Sequence, residues 1–203
     1  MKSRRSVRLF RSDCPPREQI ERLIEAAITA PSASNKQPWR FIVVTNREKI
    51  SELASFVRAA VDRIAHHVEP ASQEAFRSYG DYFTRFDQAP VVIVALFRSL
   101  TVLSNLVDAA IDPADRERIR VMEENSGLIG VSMAIENLLL SAHEMGLGAS
   151  GMTGPLVAVD HLKKALEVSP SWDIAALIPV GYPAEQPLAP DRKPAQRVMT
   201  WVE

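Results

Sequence analysis

The sequence predicts one domain that combines α-helices with a buried β-sheet. Its 203 residues, 46% of them hydrophobic, can form one substantial core, so a single domain over residues 1–203 is expected. Short apolar runs bounded by turn residues are typical of buried strands, and longer segments with apolar residues at helical spacing lie between them. The run from Met122 to Gly154 is expected to supply a central buried helix.

The remaining elements follow from the same spacing rules. The predicted strands are rich in β-branched and large apolar residues and span Phe41–Thr45, Ala89–Phe97 and Trp172–Val180. The predicted helices have apolar residues three and four apart and span Pro15–Ala30, Arg47–Val68, Ser72–Phe86 and Leu156–Val168.

Two segments have no clear partner in this arrangement. Ser99–Arg120 is the least regular part of the chain, and because Asp112-Pro113 interrupts it we expect a mobile cap or loop. Val198–Val202 is a short apolar tail that resembles a strand, and such an end often pairs with another element or another subunit.

The central helix is expected to be buried on all sides. Between Gly127 and Ala142 it has one charge, Glu136, and its large apolar residues surround the helix axis. It also has small residues at intervals of four, namely Ser126, Gly130 and Ala134. Because glycine in a helix costs about 1 kcal/mol relative to alanine, this stripe calls for a close contact. The contact is with a second helix, a flat ligand or the core of the same chain.

Two polar segments are candidate binding elements. Met1–Arg11 interleaves basic residues with apolar ones, which indicates a packed segment whose guanidinium groups can bind a phosphate or carboxylate. Ala30–Arg40 offers hydroxyl, amide and backbone N–H groups that suit a polar heteroaromatic ligand.

Composition and spacing also argue against several classes of protein. With 24 basic and 25 acidic residues, a general nucleic-acid or membrane-surface binder is not expected. One cysteine and no apolar segment after the basic start favour a cytoplasmic protein. Cys14 has no histidine nearby in sequence, which argues against a catalytic cysteine, and no metal-binding spacing is present. Gly146–Gly151 matches the G-x-G-x-x-G fingerprint of dinucleotide-binding folds, but it lies at the end of a helix, whereas that fingerprint must follow a strand and begin a helix.

Four motifs occur in a characteristic order along the chain. They are Arg4-Arg-Ser-Val-Arg8-Leu-Phe10, Ala30-Pro-Ser-Ala-Ser-Asn35-Lys-Gln37-Pro-Trp39, Gly146-Leu-Gly148 leading into Met152-Thr-Gly154, and Ile178-Pro-Val-Gly-Tyr-Pro183 before Arg192-Lys-Pro194. Together they resemble the FMN-dependent nitroreductase family over nearly the whole chain. The resemblance implies an α+β fold, a nitroreductase-like α/β/α sandwich with a mixed, mostly antiparallel sheet around the central helix. It also implies an intertwined homodimer with an FMN in each of two interface sites.

The resemblance further implies which residues bind the cofactor. In the family, one group of residues binds the phosphate, the ribityl chain and the polar ring edge of FMN, and the matching residues here are Arg4, Arg5, Ser6 and Arg8. Arg192 matches a second phosphate ligand. Those reaching the flavin from the other subunit are Pro31, Ser32, Ala33 and Asn35. Those behind the ring, where a backbone N–H faces flavin N5, are Met152, Thr153 and Gly154. Two positions depart from the family pattern: Thr153 replaces a glutamate found in some members, and Pro190 replaces a frequent basic residue.

The activity implied by the resemblance is reduction of nitroaromatic, quinone or similar flat small-molecule electron acceptors, with NADH or NADPH as reductant in a ping-pong cycle. The flavin supplies the chemistry, so no catalytic acid or base is required. Two alternatives on the same fold are a flavin-dependent dehalogenase and an oxidase or dehydrogenase. A third is a non-catalytic protein that binds flavin, or nucleic acid through Met1–Arg11.

Overall fold

The computed structural model describes all residues, Met1–Glu203, and contains helices and strands in mixed order. The helices are Arg17–Ile28 (α1), Arg47–Ala65 (α2), Gln73–Asp81 (α3), Pro113–Glu144 (α4) and Val159–Ala165 (α5). The strands are Trp39–Val44 (β1), Val91–Phe97 (β2), Gly148–Ala149 (β3) and Asp173–Gly181 (β4). The three predicted strands are confirmed, with ends displaced by one or two residues.

The strands form one sheet in the order β1-β2-β4-β3, and all three neighbouring pairs are antiparallel. A single parallel bridge joins Ser6 to Ala149 at the β3 edge. The sheet is therefore mixed and mostly antiparallel, as the resemblance implies.

Helices cover both faces of this sheet. Along β2, side chains alternate between the faces, so that Val91 and Ile93 contribute to one core cluster and Val92 and Val94 to the other. The first cluster lies under α1 and α4, and the second lies under α2 and α5. This arrangement is the predicted α/β/α sandwich.

The long helix α4 begins earlier than the sequence suggested. The predicted cap Ser99–Arg120 is partly wrong, because its last eight residues form the first two turns of α4. Asp112 caps these turns by accepting hydrogen bonds from the backbone N–H groups of Ala114, at 2.8 Å, and Asp115, at 3.4 Å. An aspartate followed by proline is a strong signal for a helix start as well as for a loop.

Within a single chain, α4 is not buried on all sides as predicted. The small residues Gly130 and Ala134 face the core of their own chain, where Gly130 approaches Pro38 and Trp39. The opposite face is left open, with Leu128, Ile129 and Met133 exposed by 40%, 58% and 37%. The small-residue stripe is therefore an intrachain contact, and the apolar face available to a second chain is the one around Ile129.

The C-terminal segment lies outside the core. Its last regular feature is a single turn at Ala195–Arg197, and the tail expected to be strand-like forms no strand. The side chains of Trp201 and Val202 are 77% and 95% exposed. No helix in the chain combines the length and the apolar character needed to cross a membrane.

Candidate functional site

The N-terminal arm packs along the β3 edge, as its apolar residues predicted. The backbone N–H of Val7 donates to the carbonyl of Ala149 at 3.2 Å, and the side chain of Val7 is buried. Gly148 allows this approach, since a Cβ there would lie 2.6 Å from Cγ1 of Val7. Further along, Arg11 N–H donates to the carbonyl of Tyr182 at 2.9 Å. The arm is therefore an ordered edge of the sheet rather than a frayed end.

A carboxylate that sequence reasoning missed fixes the middle of this arm. Oε1 of Glu185 accepts hydrogen bonds from the backbone N–H groups of Arg8, at 2.6 Å, and Leu9, at 3.0 Å. The Arg8 guanidinium group has no acidic partner, and its one hydrogen bond is a long one of 3.4 Å to the carbonyl of Ser6. Glu185 thus holds the backbone of Arg8, and the positive charge of the Arg8 guanidinium group remains available to a ligand. No sequence signal marked Glu185, which lies in an irregular proline-rich stretch.

The two preceding arginines have different surroundings. Nε of Arg4 lies 3.6 Å from Oε1 of Glu136 on α4, and the Arg4 side chain is 20% exposed. Arg5 instead donates to the carbonyls of Lys2, at 2.8 Å, and Arg4, at 2.7 Å. It also lines a cavity of about 350 Å³ between the arm, the end of α4 and residues 183–187. The structure therefore brings Arg4 beside α4 and turns Arg5 towards its own backbone.

The segment Met152–Gly154 is attached to the sheet at one end and open at the other. Met152 and Leu177 exchange backbone hydrogen bonds of 2.9 and 3.0 Å. Thr153 is exposed, whereas Gly154 is packed so closely on Phe83 that a Cβ would lie 2.6 Å from Cγ of that ring. These contacts set the backbone of Thr153 at the surface in a fixed position.

Just before this segment, the hydroxyl of Ser150 is buried and has no hydrogen-bond partner. Sequence reasoning did not single out Ser150. An orphaned hydroxyl costs free energy when it is desolvated, so this part of the β3–β4 edge is not optimised for stability alone.

The loop Pro31–Asn35 has an unusual backbone. Ser34, Asn35 and Gln37 have φ values of 50°, 52° and 47°, in the left-handed region that few residues other than glycine occupy. The hydroxyl of Ser32 accepts a hydrogen bond from Gln37 N–H at 2.9 Å and closes the loop. Strained backbone of this kind clusters at functional sites. Pro31, Ala33 and Asn35 are exposed, and no hydrogen bond or ion pair joins the loop to the N-terminal arm.

The predicted site residues therefore lie in four parts of the chain, namely the arm, the loop Pro31–Asn35, the segment Met152–Gly154 and the C-terminal segment. Arg4, Ser6 and Arg8 lie on the arm, while Arg192 is exposed in the C-terminal segment without an ion pair. Taken together, the candidate set supplies guanidinium, hydroxyl, amide and backbone N–H donors but no carboxylate. Such a set suits a ligand with a phosphate, hydroxyl groups and ring carbonyls. No group of three histidine, cysteine, aspartate or glutamate side chains is arranged to hold a metal ion.

A buried carboxylate, that of Glu123, fixes the irregular segment before α4. Glu123 accepts hydrogen bonds from the hydroxyl of Ser104 and from the backbone N–H groups of Val102, at 2.7 Å, and Ser104, at 3.2 Å. The hydrogen bond from the Ser104 hydroxyl is the largest cause of a lowered pKa at Glu123, opposed by desolvation and supported by the backbone donors. This segment is thus tied to α4 by a charged side chain.

Comparison with known proteins identifies the class. The model of the nitroreductase family matches residues 1–182, and the chain belongs to this family. An NADH dehydrogenase of Thermus thermophilus is 28% identical over 98% of this chain and 92% of its own length. An iodotyrosine deiodinase of Haliscomenobacter hydrossis is 32% identical over 98% of this chain and 85% of its own. A BluB-like flavoprotein from Clostridium difficile 630 superposes with a TM-score of 0.86 at 25% identity, covering 98% of this chain and 95% of that one.

Proposed function

We propose that this protein is an FMN-dependent oxidoreductase that uses NAD(P)H to reduce nitroaromatic, quinone or similar flat acceptors. Its membership of the nitroreductase family and its structural likeness to a flavoprotein support the cofactor. The relative named as an NADH dehydrogenase supports a nicotinamide reductant.

The observation that carries the proposal is the arm around Arg8. Its backbone is fixed by Ala149 and Glu185 while the guanidinium group of Arg8 has no acidic partner. A phosphate of nearly two negative charges bound there gains charge-assisted hydrogen bonds without first breaking an ion pair. Arg4 forms only a long ion pair with Glu136 and is the second proposed donor to the phosphate. Arg192 is the third.

The chain's own contribution to the reaction is binding and orientation. FMN, when bound, accepts two electrons from NAD(P)H and passes them to the acceptor. Met152 attaches its segment to β4, the following residues Thr153 and Gly154 provide backbone N–H donors for the ring, and the loop Pro31–Asn35 provides an amide and a hydroxyl. No side chain is assigned a role as acid or base.

We further propose that the active form is a homodimer with a flavin site at each interface. The apolar residues around Ile129 on α4 and around Trp201 in the tail are exposed in the single chain, and an exposed apolar face marks a candidate interface. The loop Pro31–Asn35 forms no hydrogen bond or ion pair with the arm of its own chain. A partner that covers the Ile129 face and contributes this loop completes the site.

A dehalogenase is the second candidate, because the relative with 32% identity over 98% of this chain is named an iodotyrosine deiodinase. Reductive dehalogenation uses the same reduced flavin, so the fold accommodates both activities. The two activities differ in the acceptor that the site admits.

The proposal is tested with the purified protein and added FMN. We expect a yellow holoprotein whose absorbance near the flavin maximum bleaches on anaerobic addition of NADH or NADPH and recovers with a nitroaromatic or a quinone. Recovery with 3-iodotyrosine and release of iodide, but not with nitroaromatics, would favour the dehalogenase. Protein that binds no FMN would refute both.

A further inference from the structure

One open cavity of the chain lies outside the residues assigned to the flavin. It has a volume of about 540 Å³ and is bordered by the residue after the flavin-site loop, the end of β2 and the segment before α4. Its lining residues are Lys36, Arg98, Ser99, Leu100, Thr101, Val102 and Ser171. The lining contains two cations and three hydroxyl groups, and it contains no carboxylate.

The positive charge of this cavity is only partly neutralised by its surroundings. Neither Lys36 nor Arg98 forms an ion pair, and the guanidinium carbon of Arg98 lies 5.2 Å from the ring centroid of Trp172. The nearest acidic residue on the neighbouring strand, Asp173, is engaged by Lys163 at 2.8 Å. Glu123 behind the wall stays ionised, because the hydrogen bonds from residues 102–104 do not cancel its charge, and it offsets one of the two cations. The cavity therefore keeps an excess of positive charge.

The walls of the cavity are fixed before any ligand arrives. Arg98 N–H donates to the carbonyl of Pro38 at 3.1 Å, and the Arg98 carbonyl packs directly on Gly127 of α4. The opposite wall is tied to α4 by Glu123. These contacts fix the backbone of the walls, so binding an anion orders only the exposed side chains of Lys36 and Arg98.

We propose that this cavity binds the anionic group, a carboxylate or a phosphate, of a substrate of the flavin reaction. Lysine and arginine with neighbouring hydroxyl groups are the donors expected for such a group. Lys36 directly follows Asn35, so a substrate anchored by Lys36 lies next to the loop proposed to reach the flavin. The inference rests on the proposed function for the identity of the substrate, but not for the binding of an anion.

The anion has two possible sources, the acceptor or the 2′-phosphate of NADPH. Two pairs of substrates that differ only in this charge distinguish them: 4-nitrobenzoate with 4-nitrobenzamide, and NADPH with NADH. Lys36→Gln and Arg98→Gln remove one charge each, and Lys164→Gln on α5 is the control at a lysine that also forms no ion pair. If the acceptor carries the anion, KM for 4-nitrobenzoate rises about 10-fold or more in both variants, as expected for a lost charge-assisted hydrogen bond, while KM for 4-nitrobenzamide stays within about 2-fold.

If NADPH carries the anion, the two variants lose about 10-fold in their preference for NADPH over NADH, and the acceptor pair does not change. Either result supports the site and identifies its ligand. Equal changes for the charged and neutral members of both pairs, or no change in any of them, would overturn it.

A direct titration separates this inference from the proposed function. Benzoate and inorganic phosphate are titrated calorimetrically into the wild type, both charge variants and the Lys164→Gln control. Binding that is weakened in Lys36→Gln and Arg98→Gln alone supports the cavity even if the protein neither binds FMN nor turns over. A wild type that binds neither anion, or variants that bind them as well as the wild type does, would refute the anion site while leaving the flavin assignment intact.

Discussion

Two glycines on the same face of α4 lead to opposite predictions for the same substitution. An ideal Cβ at Gly127 would overlap the backbone carbonyl oxygen of Arg98 and lie 3.1 Å from its carbonyl carbon. A Cβ at Gly130 would lie 3.4 Å from Cγ of Pro38 and 3.7 Å from Cζ3 of Trp39, which are ordinary van der Waals contacts. Gly127→Ala and Gly130→Ala are therefore a matched pair.

The magnitudes follow from two competing terms. Alanine favours the interior of a helix over glycine by about 1 kcal/mol. Gly130→Ala changes helix propensity without creating a packing clash, so it should raise the free energy of unfolding by about 1 kcal/mol. At Gly127 overpacking costs about 1–3 kcal/mol, and a backbone carbonyl cannot rotate aside, so the upper part of that range applies. The net effect of Gly127→Ala is a loss of about 1–2 kcal/mol.

Urea unfolding followed by circular dichroism measures both effects. Wild type and variants are compared at one protein concentration, without FMN and with saturating FMN, because ligand and partner binding both shift apparent stability. A rise in stability for Gly127→Ala, or a loss for Gly130→Ala, would refute the packing of α4 against Pro38, Trp39 and Arg98.

Three further substitutions test the phosphate end, a buried carboxylate and the open face of α4. Arg192→Ala is expected to weaken FMN binding about 10- to 150-fold in a fluorescence titration, as for a lost hydrogen bond to a charged group, and an unchanged dissociation constant would remove Arg192 from the site. The folded pKa of Glu123 lies below its ordinary value of 4.5. The stabilisation it provides is thus complete above that pH and is lost as the pH falls through the folded pKa, so Glu123→Gln should flatten the acid side of the stability profile. A profile as steep as that of the wild type would contradict this. Ile129→Gln should leave the fold of each chain intact, since Ile129 is 58% exposed, but impair dimerisation in light scattering and lower FMN content with it. A dimer as stable as the wild type would place the interface elsewhere.

The main elements of the fold were predictable because their signals are local. β2 reads as a continuous apolar run since helices cover both faces of the sheet, and α1 has its apolar residues on one side. Gly146, expected as the end of the central helix, has a φ of 73° just after the C-terminus of α4.

The errors arose where a sequence pattern fits two environments. Leu128, Ile129 and Met133 are as apolar as core residues, but the sequence cannot tell whether the core or another chain covers them. Gly130 pointed to a close contact without indicating its partner, which proved to be Pro38 and Trp39.

Motifs in the sequence indicated only part of the candidate site. Arg8 and Ser32 follow from such motifs, whereas Glu185 and Ser150 act through contacts with residues distant in sequence or through burial. The cavity between Lys36 and Arg98 likewise depends on the pairing of β1 with β2.

The central claim is that each flavin site combines the arginines of one chain with the loop of the other. Two variants make this testable: Arg8→Ala/Arg192→Ala removes the phosphate donors, and Ala33→Glu puts a bulky negative side chain on the exposed loop. In a heterodimer of the two, one site has both halves altered and the other has both halves intact.

The measurement is FMN bound per chain in protein coexpressed from the two variants with different tags, with heterodimers verified by native mass spectrometry. Random pairing in a two-fold symmetric dimer makes half the dimers heterodimers, so about one quarter of the sites should bind FMN while each homodimeric variant binds almost none. A coexpressed sample that contains heterodimers but binds no more flavin than the separate variants would contradict the shared site.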